Sequence, residues 1–157
     1  MIVYYYREKF LALAILCSLP FVFSCTKTSN EDDDIYAIVG NASGLQEKPA
    51  NSSTASATLS GTYDAGNNTL EYKINWKNLS GGATAAHFQA TQQKGDSAGT
   101  VIEITISANA INGSATGTIV LSDSAEAELL SGDLYYDIKT TLYPNGEIRG
   151  QVIALRE

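Results

Sequence analysis

In Leu70-Glu71-Tyr72-Lys73-Ile74-Asn75-Trp76-Lys77, apolar and polar residues alternate without a break. A period of two sends successive side chains to opposite faces of a pleated strand, so this segment predicts a half-buried antiparallel strand. The period recurs along the chain. Ile102, Ile104 and Ile106 share a face within 101–107, and Leu134, Tyr136, Ile138 and Thr140 alternate with Tyr135, Asp137, Lys139 and Thr141. Ile148, Gly150 and Val152 continue it, with Arg149 and Gln151 on the other side. Segments 36–41, 54–62, 84–90 and 114–121 complete about eight short strands.

Turn chemistry separates the strands. Residues 65–68 (Ala-Gly-Asn-Asn) join two of them, Asn112-Gly113 is a short hairpin signal, and Pro144-Asn145-Gly146 turns the chain before the last strand. One helix fits 123–131 (DSAEAELLS), capped by Ser122 or Asp123, with Glu126 in its first turn and Gly132 at its end. Short strands, no parallel-sheet spacing and one short helix predict an all-β antiparallel sandwich. Trp76 and most tyrosines fall on strand positions, which suits core packing better than a stacking platform.

The amino terminus speaks to location. Arg7 and Lys9 precede an apolar run of 14 residues, Phe10 to Phe23, interrupted by Pro20. A membrane-spanning helix needs roughly 20 apolar residues, so this run has the length of a signal-peptide core. Val22 and Ser24 stand before Cys25 as a lipobox requires, although Phe23 is bulky. Residues 1–24 therefore read as a lipoprotein signal peptide and Cys25 as the lipidated residue, which fastens the chain to a bilayer by acyl groups. Cys17 would leave with the signal, so no disulfide could form within the mature chain. Residues 25–34 follow as a polar tether ending in Glu31-Asp32-Asp33-Asp34, expected to stay unfolded. That acidic run resembles signals that send some lipoproteins to the outer cell surface. The expected location is the cell envelope, at the outer membrane. Residues 35–157 form the single domain, long enough for a core of its own.

The chain holds 10 basic and 17 acidic residues. Losing 1–24 would remove Arg7, Lys9 and Glu8, leaving 8 basic and 16 acidic residues and a net charge near −8. With no basic patch along it, such a chain disfavours nucleic acid and anionic lipid surfaces as partners.

Three stretches resemble the CHRD domain, a module named after chordin. Leu79-Ser80-Gly81 followed by Thr84-Ala85-Ala86-His87 matches the first. Ser114-Ala115-Thr116-Gly117-Thr118 ahead of 123–131 matches the second. The third joins Leu134-Tyr135-Tyr136-Asp137-Ile138-Lys139-Thr140 to Pro144-Asn145-Gly146-Glu147-Ile148-Arg149-Gly150-Gln151. The resemblance spans roughly 40–155. It implies an immunoglobulin-like β-sandwich and carries no defined biochemical role.

The resemblance also raises a metal. Family members often read His-x-His where this chain has His87 and Gln89, and carry another histidine where it has Lys139. Those histidines resemble the ligands of copper/zinc superoxide dismutases. A copper or zinc site wants several imidazole, thiolate or carboxylate ligands, and His87 is the only histidine. His87 is thus a weak metal candidate, better read as a hydrogen-bonded strand residue, and no cofactor is expected. No nucleophile–base pair is legible, so no catalytic residue is assigned and an enzyme is not expected. Glu147 and Arg149, two apart, predict a shared strand face, as do Asp137 and Lys139, which are expected as an exposed pair of little energetic weight. The polar loop containing Thr91, Gln92, Gln93, Lys94, Gly95, Asp96 and Ser97 is the candidate binding segment. Asp96-Ser97-Ala98 and Asp123-Ser124-Ala125 resemble short O-glycosylation acceptors.

The reading that follows is a lipid-anchored envelope protein whose sandwich binds a protein or glycan. Its alternatives are a superoxide-dismutase-like metalloprotein or metal carrier, and a structural envelope protein without a specific ligand.

Overall fold

The computed structural model describes residues 35–90, 101–107 and 109–156. These form nine strands and one helix: β1 (Ile35–Ser43), β2 (Ser56–Asp64), β3 (Thr69–Lys77), β4 (Ala83–Ala90), β5 (Val101–Glu103), β6 (Gly113–Val120), α1 (Asp123–Ser131), β7 (Leu134–Thr140), β8 (Ile148–Gln151) and β9 (Ile153–Arg156). A 3-10 turn, Gly44–Gln46, follows β1. The strands form one continuous path, β5-β4-β7-β8-β1-β2-β3-β6, with β9 also on β1, and each pairing is antiparallel.

The path curls on itself. Tyr72 of β3 meets Phe88 of β4 edge to face, with ring centroids 5.1 Å apart, although β7, β8, β1 and β2 lie between those strands along the sheet. The Tyr136 hydroxyl of β7 donates to the carbonyls of Gly40 on β1 and Ala57 on β2. Two inner faces thus close over one core, a sandwich-like all-β fold of the expected class. Tyr63, Leu70, Ile74, Phe88, Leu134, Tyr136, Ile138 and Ile148 are fully buried there. Burying a side chain of this kind contributes roughly 1.5–3 kcal/mol.

The close of the curl depends on the last strand. β8 pairs with β7 from Ile138↔Ile148 to Tyr135↔Gln151, and with β1 at Ala42↔Gly150. The Val152 N–H still reaches the Leu134 carbonyl, and β9 then runs along β1 alone. At this junction the backbones are so near that a Cβ on Gly150 would sit 2.6 Å from the Asn41 carbonyl oxygen and 2.8 Å from the Tyr136 ring. Only glycine admits that approach.

The alternation mapped well onto faces and less well onto strand ends and partners. Helix 123–131 forms as expected. Ser122 is its cap, with Oγ accepting from the Ala125 N–H, and Gly132 closes it in the left-handed region at φ 79°. The expected strand over 101–107 is cut to β5: beyond Glu103, Ile104 remains buried and donates its N–H to the Ala86 carbonyl, outside the ladder. Asn112-Gly113 does not turn a hairpin. After Asn112 the chain enters β6 in the far half of the sandwich, where β6 pairs with β3, and the Asn112 side chain accepts from the Asn78 N–H. Dihedral preference at a turn is local, whereas the burial of Ile104 and the pairing with β3 are not. β9 was not anticipated, since Ile153 and Leu155 leave half their surface in solvent and show no apolar face.

Candidate functional site

Two polar clusters stand out, one inside the sandwich and one on its outer face.

The inner cluster centres on Glu147, which is fully buried. Its Oε1 accepts from the Ser53 hydroxyl at 2.7 Å and the Ser80 N–H at 2.8 Å, and its Oε2 from the Ser80 and Thr140 hydroxyls, each at 2.7 Å. Asn51 Nδ2 donates to the Glu147 carbonyl at 3.0 Å. Burial alone would raise this carboxyl, but the bonds from Ser53, Thr140 and Ser80 outweigh it and hold it below its ordinary range. One carboxylate thereby ties the segment ahead of β2, the β3–β4 crossing and the end of β7. Glu147 and Arg149 do not share a face, contrary to the spacing argument. Gly146 takes φ 140° and turns the chain, so the strand begins only at Ile148 and Glu147 points inward. The cluster is satisfied from within, which makes it a structural pin.

The outer cluster lies across β5, β4, β7 and β8. Register sets Glu103, His87, Asp137 and Arg149 abreast, with Gln89 opposite Tyr135 and Ala85 opposite Lys139. Directly opposed residues share a face. Asp137 is only 4% exposed. Its Oδ1 lies 3.3 Å from His87 Nδ1, and its Oδ2 accepts from Gln89 Nε2 at 2.9 Å. Gln89 Oε1 accepts in turn from the Tyr135 hydroxyl at 2.9 Å. The Arg149 guanidinium lies over the Tyr135 ring, 3.4 Å from its centroid. Burial raises the Asp137 carboxyl, while Lys139 and His87 pull it back down. Burial and then the Asp137 charge raise Glu47, against Arg149 and Lys139, so Glu47 borders the same cluster. Asp137 and Lys139 do share this face, yet Asp137 is no exposed member of a surface pair.

The chain His87–Asp137–Gln89–Tyr135–Arg149 uses much of its own hydrogen-bonding capacity. Arg149, Lys139 and His87 are each half-buried along this row and so remain partly open to solvent. A histidine oriented by an aspartate can serve as a base, but no serine, threonine or cysteine among the described residues bonds to His87. Gln89 and Lys139 sit beside His87 on the same face as the resemblance implies, and they are not good ligands for copper or zinc. Among the described residues no group of three or more His, Cys, Asp or Glu side chains could hold a metal ion.

A CHRD-domain family model matches residues 39–152. The chain belongs to the CHRD family. No curated protein and no solved structure matches it. The matched span runs from β1 to the residue between β8 and β9, so both clusters lie within the CHRD domain. Ser80, Thr140, Glu147 and Gly150, which the sequence placed in the CHRD-like stretches, meet here as the inner pin and the strand junction.

Cys25 and the loop Thr91–Ser97 lie outside the described residues. Of the two acceptor-like triplets, the one at 96–98 is also outside. The other forms the first turn of α1, where Ser124 is exposed and 3.1 Å from the Ser122 hydroxyl. Sequence reasoning missed Asp137 and Glu147 as hubs. The one available signal was the turn at Pro144-Asn145-Gly146, which leaves Glu147 between turn and strand, where alternation does not yet hold.

Proposed function

We propose that this CHRD protein is an extracytoplasmic lipoprotein, held at the membrane by acyl chains on Cys25. Its sandwich is a non-catalytic binding module for an envelope protein or glycan. The contact surface is the outer face of β4, β7 and β8. The observation that carries the reading is the interlocked row from His87 to Arg149. Its carboxylate and amide are bonded to one another, and the Tyr135 ring held at its end seats the Arg149 guanidinium before a partner arrives. The acidic balance of the chain and the lipobox support the rest.

Two measurements test it. Cys25→Ser should abolish incorporation of labelled palmitate and release the protein from the membrane fraction. A chain that stays membrane-bound and labelled would remove the anchor. Immobilised protein should recover a partner saturably from envelope extract. Arg149→Ala combined with Lys139→Ala should weaken recovery at least tenfold, with an unchanged circular dichroism spectrum. Undiminished capture would move the contact elsewhere, and turnover of small substrates at ordinary enzyme rates would replace the module by an enzyme. Copper or zinc bound near one equivalent and lost in His87→Ala would favour a metalloprotein.

A further inference from the structure

β6 ends the sheet path: one long edge meets β3, and the other meets no strand among the described residues. Its sequence, Gly-Ser-Ala-Thr-Gly-Thr-Ile-Val, has no charged residue and no proline. Its register with β3 runs from Thr69↔Val120 to Trp76↔Gly113 without a shift, so no bulge twists the edge away. Folded sheets commonly blunt open edges with charge, proline, a bulge or a covering segment. Among the described residues no backbone group of β6 bonds to a loop. The sheet's other short edges differ: β5 is three residues long and carries Glu103, and β9 is four and carries Arg156.

The ladder shows which groups face outward along this edge. Just past β6, the Leu121 N–H donates to the Asn68 carbonyl at 2.8 Å. Bonded pairs alternate in an antiparallel ladder, so 113, 115, 117 and 119 also bond toward β3. Ser114, Thr116, Thr118 and Val120 therefore direct their N–H and C=O groups to the open edge.

We infer that β6 pairs antiparallel with β6 of a second copy of this chain, about a two-fold axis at Gly117. The strand is self-complementary about that point. Thr116 falls opposite Thr118 and Ser114 opposite Val120, so the four edge-directed residues of each copy bond to the same set in the other. Gly117 meets Gly117 at a non-bonded position, where backbones approach to about 4.5 Å. A side chain there is excluded, since its Cβ would sit 2.5 Å from the Tyr72 hydroxyl oxygen. Val120, 72% exposed, gains cover. The chain carries a net charge of −7, yet two β6 edges bring no like charges together. This pairing leaves the face of β4, β7 and β8 free.

An edge of this length sits at the small end of specific interfaces, so a covalent trap suits it. Two differently tagged full-length chains, one Thr116→Cys and one Thr118→Cys, would be produced together and oxidised in the membrane. Bonded antiparallel partners lie about 5.5 Å apart at Cα, within disulfide reach. A mixed-tag dimer is expected at least tenfold above the parental chain and above a Thr58→Cys pair placed on the exposed face of β2. Thr116→Lys with Thr118→Lys should weaken dimerisation at least tenfold by sedimentation, with an unchanged circular dichroism spectrum. Mixed-tag cross-linking no greater than in the Thr58 control would overturn the inference. So would a lysine variant that dimerises like the parent.

Discussion

Glu147→Ala is expected to destabilise the domain by about 3–5 kcal/mol, read by urea denaturation with an unchanged slope. The substitution deletes an acceptor that four donors share: the hydroxyls of Ser53, Ser80 and Thr140 and the N–H of Ser80. Hydroxyls can turn to other acceptors, but a backbone N–H cannot, and the vacated volume adds a cavity. Glu147→Gln keeps the shape and one acceptor oxygen, so its cost should be smaller, about 1–2 kcal/mol. Equal losses in the two variants would mean that packing around the side chain, rather than its charge-assisted bonds, holds the site.

The pH dependence has a definite sign. The folded Glu147 carboxyl lies below its ordinary value of 4.5. A depressed carboxylate stabilises the fold above the unfolded value, and that stability is lost as pH falls through the folded one. Acid unfolding should therefore steepen below about pH 4.5 in the parent, and this limb should flatten in Glu147→Gln. Asp137 and Glu47 act the other way. Burial raises both, so their ionisation opposes folding at neutral pH. That cost is relieved as pH falls through their raised values toward 3.8 and 4.5. An acid limb identical in parent and Glu147→Gln would show that the proton uptake belongs to other groups.

Gly150→Val is expected to leave no folded protein at 25 °C, and Gly150→Ala to lose about 2–3 kcal/mol. The first added carbon already falls within 2.6 Å of the Asn41 carbonyl oxygen and 2.8 Å of the Tyr136 ring. Neither neighbour can withdraw easily. Asn41 is backbone in β1, and the Tyr136 hydroxyl is held by the Gly40 and Ala57 carbonyls. Gly81→Ala supplies the control: nothing lies within 4 Å of a Cβ there, and stability should stay within about 0.5 kcal/mol of the parent. A folded, stable Gly150→Val would mean that β8 can move off β1 without opening the sandwich.

Some of this was legible in the chain and some was not. The period of two in 70–77 and 134–140 gave the inward faces of β3 and β7 correctly, because the pleat fixes alternation residue by residue. Ser122 and Gly132 marked the ends of α1 because caps are satisfied within one turn. The spacing of Glu147 and Arg149 misleads because β8 begins only at Ile148, so Glu147 lies ahead of the pleat that alternation assumes. Asp137 was taken for an exposed charge because its partners, His87 and Gln89, lie about fifty residues away.

The sequence by itself determined most of the strand segments though not β9, which of their sides are apolar, and where the helix starts and stops. These properties rest on sterics and solvent preference over a few residues. Only the tertiary structure decided that β6 leaves β5 for β3, that the last strand divides between β7 and β1, and that Ser53, Ser80 and Thr140 converge on Glu147. An antiparallel strand offers the same row of donors and acceptors to many partners. The choice is made by how all the apolar faces close over one core, and no short stretch of sequence contains that sum.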